Sequence, residues 1–338
     1  MYKKLYDRVV TFIKENYKQI IILVLFYLIL SWPVNYYIIV GGGISDIDSR
    51  VKIENSYNSK GSFNISYVSE LKGNVLTYTL SYLIPDWKKV PMNDYKLNNN
   101  ENYNDLQFRS NIELENANDN SIKTAYILAN KKYEVTSTNI YVTGIISKYK
   151  NKLKIKDRLI AIDNNKYNDV ENYKKYIQNS KNKDVIVTVI RNKKVKNIKC
   201  KIHNYKGIKI LGIALEEVNK YKTVPKIKIK FKDSESGPSG GLITTLDIYN
   251  KITKKDITHS LKIAGTGTVD KDGNVGEIGE VKYKLLGAEK AKADVFLVPS
   301  GSNYNTCIKL KKKRKLKIKI IKVKNIKEAI KKLNKISS

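Results

Sequence analysis

The sequence predicts a multidomain α+β chain of 338 residues: one N-terminal transmembrane helix, a β-rich region, and a C-terminal α/β domain. Three observations predict it. A strongly apolar, uncharged stretch near the N-terminus is long enough to cross a bilayer. Several middle stretches alternate apolar and polar residues with the period of a half-buried strand. Close to residue 239 an alternating stretch gives way, through glycines, to apolar residues at helical spacing.

The first element is the apolar stretch. Ile20-Ile21-Ile22-Leu23-Val24-Leu25-Phe26-Tyr27-Leu28-Ile29-Leu30 opens an uncharged run that continues to Val40. Roughly 20 residues at about 1.5 Å each span a bilayer's hydrocarbon core. Lys3, Lys4, Arg8, Lys14 and Lys18 precede the run, and Asp46 and Asp48 follow it. Since basic residues stay on the cytoplasmic side, the expectation is a cytoplasmic segment over 1–18, an anchor over 19–40, and extracytoplasmic domains beyond it. That makes a single-pass plasma-membrane protein, with Trp32, Tyr36 and Tyr37 at the outer interface. A cleaved signal peptide fits less well, because the run is long and Tyr36-Tyr37-Ile38-Ile39-Val40 offers no small-residue cleavage site. A buried core helix is the third reading.

Residues 44–125 form the expected membrane-proximal β-rich region. Ser62-Phe63-Asn64-Ile65-Ser66-Tyr67-Val68 and Leu76-Thr77-Tyr78-Thr79-Leu80-Ser81-Tyr82 read as strands, followed by an Asn-rich loop over 98–104. No chemistry announces itself there.

Residues 126–205 read as a separate domain. Leu153-Lys154-Ile155-Lys156-Asp157-Arg158-Leu159-Ile160-Ala161-Ile162-Asp163-Asn164-Asn165 resembles the L-x-x-G-D-x-I-x-x-V-N-G signature of PDZ domains, with Lys156 in place of the glycine. A helix over 170–178 and a strand over 184–191 follow. The resemblance implies that an extended peptide adds as a strand to a sheet edge, its carboxylate held by loop N–H groups. By position, Asn139, Ile140 and Tyr141 are the expected contributors. A module that only spaces its neighbours is the alternative.

The last domain, 206–338, carries the chemistry. Val224-Pro225-Lys226-Ile227-Lys228-Ile229-Lys230-Phe231 alternates as a strand, and after Gly237-Pro238-Ser239-Gly240-Gly241 the residues Leu242, Ile243, Leu246 and Tyr249 recur at helical spacing. Ser239 therefore stands at a helix N-terminus. It either caps the helix or serves as a nucleophile whose oxyanion the free N–H groups stabilise, with Gly237 and Gly240 allowing close backbone approach. The pentapeptide also matches the G-x-S-x-G elbow, which needs an acid and then a histidine well downstream. His203 lies upstream, and His259 follows in Lys255-Asp256-Ile257-Thr258-His259-Ser260, which reads as a connection between elements. A lysine serves as base instead if burial lowers its pKa from about 10.4 toward 7 or 8. On a helix from Val281, Lys284 shares a face with Leu285, Ala288 and Ala291, whereas Lys282 points to the other side.

These segments together resemble the proteolytic domain of Lon-type proteases. The pentapeptide is similar to the family's G-P-S-A-G, Ile263-Ala264-Gly265-Thr266-Gly267-Thr268-Val269 to its strand before the lysine helix, and Ile278-Gly279-Glu280-Val281-Lys282-Tyr283-Lys284-Leu285-Leu286-Gly287-Ala288 to its I-G-G-x-x-x-K-x-x-A-A element. The resemblance implies Ser239 as nucleophile and Lys284 as general base. Gly240 replaces the usual Ala, Glu280 replaces a Gly, and Ser236 stands where ATP-dependent Lon proteases carry an acid. The chain has no G-x-x-x-x-G-K-[ST] phosphate loop.

Anchor, PDZ-like domain and Lon-like domain in this order resemble membrane-anchored Lon-like proteases of Gram-positive bacteria. The expectation is an ATP-independent serine endopeptidase that cleaves exported peptides or proteins at the outer membrane face. The alternative is an inactive peptide-binding receptor acting through the PDZ-like domain.

The net charge of +32 is spread over every segment, so a solvated basic surface is expected rather than nucleic-acid binding. Residues 309–321 read as a partly alternating strand with an outward basic face. Expected partners are a peptide or protein substrate and the membrane, with homo-oligomerisation open. Two cysteines, Cys200 and Cys307, and two scattered histidines make no metal-ligand set, and no cofactor is implied.

Overall fold

The computed structural model describes residues 2–98, 100–146, 148–149, 151–232 and 235–336, and it falls into two units. One unit takes the chain up to Gly41 together with Ser69–Tyr95; the other takes Gly42–Val68 together with Lys96 onward.

The first unit opens with the helix Tyr2–Ser31, and from Pro33 the chain becomes the strand Pro33–Asp46. Proline disfavours helical backbone in the residue before it, and the β-branched and aromatic residues of Tyr36-Tyr37-Ile38-Ile39-Val40 favour a pleated surface. Residues 36–39 pair antiparallel with the strand Lys88–Pro91, from Tyr36 opposite Pro91 to Ile39 opposite Lys88. This corrects the expected anchor. The uncharged part of the helix, Gln19 to Ser31, reaches roughly 20 Å at about 1.5 Å per residue, short of the ~30 Å hydrocarbon core. Among the described residues no helix is long and apolar enough to cross a membrane. The transmembrane helix, the membrane as partner and the single-pass plasma-membrane location lose their basis with it.

Residues 76–82, expected as a strand, lie in the helix Val75–Leu83. The deciding residues flank and interrupt the alternation. Asn74 Oδ1 accepts from Thr77 N at 2.8 Å while Thr77 Oγ1 accepts from Asn74 N at 3.0 Å, a reciprocal cap that starts a helix. Tyr78 and Tyr82, one turn apart, then bring their rings to 5.6 Å.

The second unit contains two larger sheet systems. In the first, Lys319–Val323, Val295–Pro299, Lys262–Gly265 and residues 62–65 lie side by side, each pair parallel. Its central strands, Val295–Pro299 and residues 263–265, are buried on both faces, as parallel strands covered by helices must be. Ile263, Val295 and Leu297 join one core with Leu242, Ile243 and Leu246 of the helix Gly241–Ile252. Ala264, Phe296 and Val298 join the other with Val281, Leu285 and Ala288 of the helix Val281–Lys290. Each fully buried Leu or Phe contributes about 1.5–3 kcal/mol. The serine helix and the lysine helix thus cover opposite faces of one sheet.

The second sheet is antiparallel, in the order Ile213–Val224, Lys132–Ile145, Arg158–Ile162, Asp184–Arg191, Lys194–Lys201. Val185, Val187 and Val189 bury beneath the helix Val170–Asn179, with Tyr173 and Ile177 facing them in the same core. This sheet takes its edge strand from beyond residue 205, where the domain boundary is expected.

The 26-residue helix Tyr103–Leu128 starts in the segment expected to be β-rich and runs three residues past its end. An Asn102–Asp105 capping box starts it, and its buried face mixes Ile112, Ile122 and Tyr126 with Ala117, Ser121 and Ala125. The basic run expected as a strand over 309–321 is divided between the helix Ser302–Arg314 and the strand Lys319–Val323. Asn303, Cys307 and Leu310 recur at helical spacing on the buried side, and Lys315 ends the helix in a left-handed conformation with φ 53°.

Candidate active site

Ser239 sits in the 3₁₀ turn Pro238–Gly240 that leads into the serine helix. Gly237 enters the turn at φ 83°, a region open to glycine at little cost, and its N–H donates to Ser110 O of the long helix at 3.4 Å. A Cβ on Gly240 would stand 3.0 Å from Ile65 Cδ1, so glycine lets the turn settle on the sheet. The N-cap of the serine helix is Gly240, and Ser239 keeps its hydroxyl for another partner.

That partner is Lys284. Its Nζ donates to Ser239 Oγ at 2.8 Å, and the residue is 5% exposed. The approach follows from the two-faced sheet: the helices lie on opposite faces, and their side chains meet at Thr266, the residue after the strand Lys262–Gly265. Thr266 Oγ1 lies 3.2 Å from Lys284 Nζ and donates to Ser239 O at 3.1 Å, while Gly267 N donates to Ser239 O at 2.8 Å. Thr266 is fully buried. Sequence reasoning quoted it only as part of a strand; its signal was a hydroxyl set among Ala264, Gly265 and Gly267.

The lysine helix is held closely from its other side. A Cβ on Gly42 would come 2.2 Å from Tyr283 O, and one on Gly287 would come 2.5 Å from Gly42 C and Gly43 N. Gly287 therefore admits the backbone of residues 42–43. Lys282 is partly exposed, its Nζ 5.2 Å from the centre of the Tyr283 ring.

Further along the serine helix, Lys251 Nζ lies 2.9 Å from Asp48 Oδ1 and 3.1 Å from Asp247 Oδ2, and it donates to Val51 O at 3.0 Å. Burial pushes the Asp247 carboxyl up to about 6, against the opposing pull of Lys251. Both cysteines are free and buried, in different cores, and burial pushes the Cys200 thiol up to about 11 and that of Cys307 to about 12. Such thiols are inert. His259 Nε2 and His203 Nε2 are buried with no hydrogen-bond partner among the described residues.

Asn139, Ile140 and Tyr141 occupy an inner strand. They pair with Val218, Glu217 and Glu216 on one side; Ile140 and Tyr141 also pair with Leu159 and Arg158 on the other. Their backbone offers no edge to an added peptide. The edges belong to Lys194–Lys201 and to Ile213–Val224, whose one strand neighbour among the described residues is Lys132–Ile145.

Residues 220–335 match the family model of the Lon protease (S16) C-terminal proteolytic domain. The match supports a serine peptidase domain in this part of the chain. Among solved structures, the PDZ domain of the SdrC-like protein from Listeria monocytogenes is similar at 22% identity, over 24% of this chain and 92% of that one, with a TM-score of 0.22. No curated protein matches.

Proposed function

We propose that the chain is a serine endopeptidase in which Ser239 is the nucleophile and Lys284 the general base. The observation that carries the reading is the 2.8 Å contact between a buried lysine amine and the hydroxyl of a serine on a glycine-rich turn. The match of residues 220–335 to a Lon proteolytic domain supports it.

In this reaction neutral Lys284 takes the Ser239 proton as Oγ attacks a peptide carbonyl. Backbone N–H groups at Ser239 and Gly240 hold the developing oxyanion. The lysinium returns its proton to the departing amine, leaving an acyl-serine. Lys284 then deprotonates a water, which releases the new carboxylate. Thr266 orients the amine, and every step uses groups of this chain, without ATP. Substrates are peptides or unfolded protein segments.

The peptide-receptor reading is favoured by one observation, the edge position of the strand Ile213–Val224 beside the helix Val170–Asn179, whose first N–H is held by Glu217 Oε1 at 2.7 Å. The two readings part in one experiment: incubation with a peptide library, read by mass spectrometry. The peptidase reading expects cleavage to vanish in Ser239→Ala and in Lys284→Ala, because members of a dyad act as a unit, and to persist in Lys282→Ala. Cleavage that survives Ser239→Ala rejects it.

A further inference from the structure

We infer that Asn303, together with Glu277, is a positioning residue for Lys284, fixing from outside the helix the point at which the lysine helix starts. The inference rests on the Ser239–Lys284 reading above and adds to it the device that sets the distance.

Four other helices, Val75–Leu83, Tyr103–Leu128, Val170–Asn179 and Ile326–Leu333, begin with an Asn or Asp side chain that accepts a backbone N–H of the first turn. Those helices fix their own starts. The lysine helix does not. Its N-cap is Glu280, in a left-handed conformation at φ 57° with no side-chain cap bond, and its first turn holds no acid. Lys284 follows one turn later, its N–H reaching Glu280 O at 3.4 Å. Any slide of the helix start therefore carries the amine along with it.

The loop before the helix is held instead by the N-terminus of Ser302–Arg314. Asn303, 7% exposed, accepts from Ile278 N through Oδ1 at 2.8 Å and donates from Nδ2 to Ile278 O at 3.0 Å. One amide thus satisfies both backbone groups of Ile278, which requires a donor and an acceptor side by side. The grip is reciprocal. The Glu277 carboxylate accepts from Ser302 N, from Ser302 Oγ at 2.7 Å and from Asn303 N at 3.3 Å, supplying the acid that favours a helix N-terminus. Gly301 makes room for it: a Cβ there would stand 2.6 Å from Glu277 Oε1. Behind the latch, Cys307 and Leu310 bury Ser302–Arg314 in the same core as Val281 and Leu285. The latch thereby ties the lysine helix to the sheet that also carries the serine helix.

The test uses the full chain and a quenched-fluorophore peptide taken from a library by its cleavage. Asn303→Ala should lower kcat by about tenfold or more while KM stays within about twofold, since misplacing a reacting group costs the transition state and not substrate binding. It should also raise the pH of half-maximal kcat/KM, because a loosened site admits water that favours the charged amine. Glu277→Gln, at an exposed position, should fold and move both quantities the same way by a smaller factor, and it decides the matter if Asn303→Ala does not fold. Asp169→Ala removes a comparable cap in the antiparallel-sheet region and should move neither. Unchanged kcat and pH profile in both latch variants, or an equal loss in Asp169→Ala, would overturn the positioning role. Cleavage surviving in Ser239→Ala, or absent from the wild type, would instead remove the dyad reading beneath it.

Discussion

A single hydroxyl, Thr266 Oγ1, touches both members of the proposed dyad: it lies 3.2 Å from Lys284 Nζ and donates to the carbonyl of Ser239 at 3.1 Å. Valine has the same shape without the polar contacts, so Thr266→Val isolates them. Each such bond is worth about 1 kcal/mol net, and its loss should reduce kcat by roughly fivefold to tenfold with KM little changed. Thr266→Ser should recover most of it. Steady-state kinetics on one cleaved peptide check the pair, and a Thr266→Val enzyme at full kcat removes Thr266 from the site. At this scale the approach of Lys284 to Ser239 was legible, because helical phase put Lys284 among apolar residues and the glycines marked the serine turn. Thr266 was not, since a threonine in a stretch that reads as a strand looks like any other until a partner is placed against it.

Among the elements, the lysine helix is crossed closely by residues 42–43 at Tyr283 and Gly287. Gly42→Ala should destabilise the fold by about 1–3 kcal/mol, as overpacking does, and lower activity with it. Gly279→Ala adds a Cβ with nothing within 4 Å and should be nearly neutral. Urea unfolding of the two variants side by side checks this, and equal stabilities would show that the crossing is not tight. The crossing was hidden in the sequence, because glycines at 41–43 and 287 carry no sign of whom they meet. Secondary structure was misread for related reasons. Residues 76–82 alternate like a strand, but a capping box at Asn74 and Thr77 makes them a helix. The long helix Tyr103–Leu128 hides its buried stripe behind Ala and Ser, and Ser302–Arg314 hides its own behind lysines. At the N-terminus the uncharged run was read as one element, whereas Pro33 and the strand-forming residues after it divide it in two.

Over the whole molecule, stability should carry the mark of the buried carboxyl of Asp247. With its pKa pushed up to about 6 from an unfolded value of about 3.9, the folded chain keeps a proton that the unfolded chain has lost between those values. This contribution is therefore present below about pH 4 and lost as pH rises through about 6. Denaturant unfolding at pH 4 and pH 7 should show wild type losing about 2–3 kcal/mol relative to Asp247→Asn across that window. Parallel pH dependences would show that Lys251 and Asp48 fully compensate the charge. The sheet order was illegible for a different reason. Parallel neighbours such as residues 62–65 and Lys262–Gly265 are far apart in the chain, and no local pattern records such pairing.

The central claim is that Ser239 forms an acyl intermediate at a rate set by Lys284. Its most direct measurement is the initial rate of acetylation at Ser239 by p-nitrophenyl acetate, read by peptide mapping and mass spectrometry in wild type, Lys282→Ala and Lys284→Ala. The account predicts rapid acetylation of Ser239 in the first two and a rate lower by about a hundredfold or more in Lys284→Ala. An unlabelled Ser239 in wild type, or one labelled equally fast without Lys284, would contradict it.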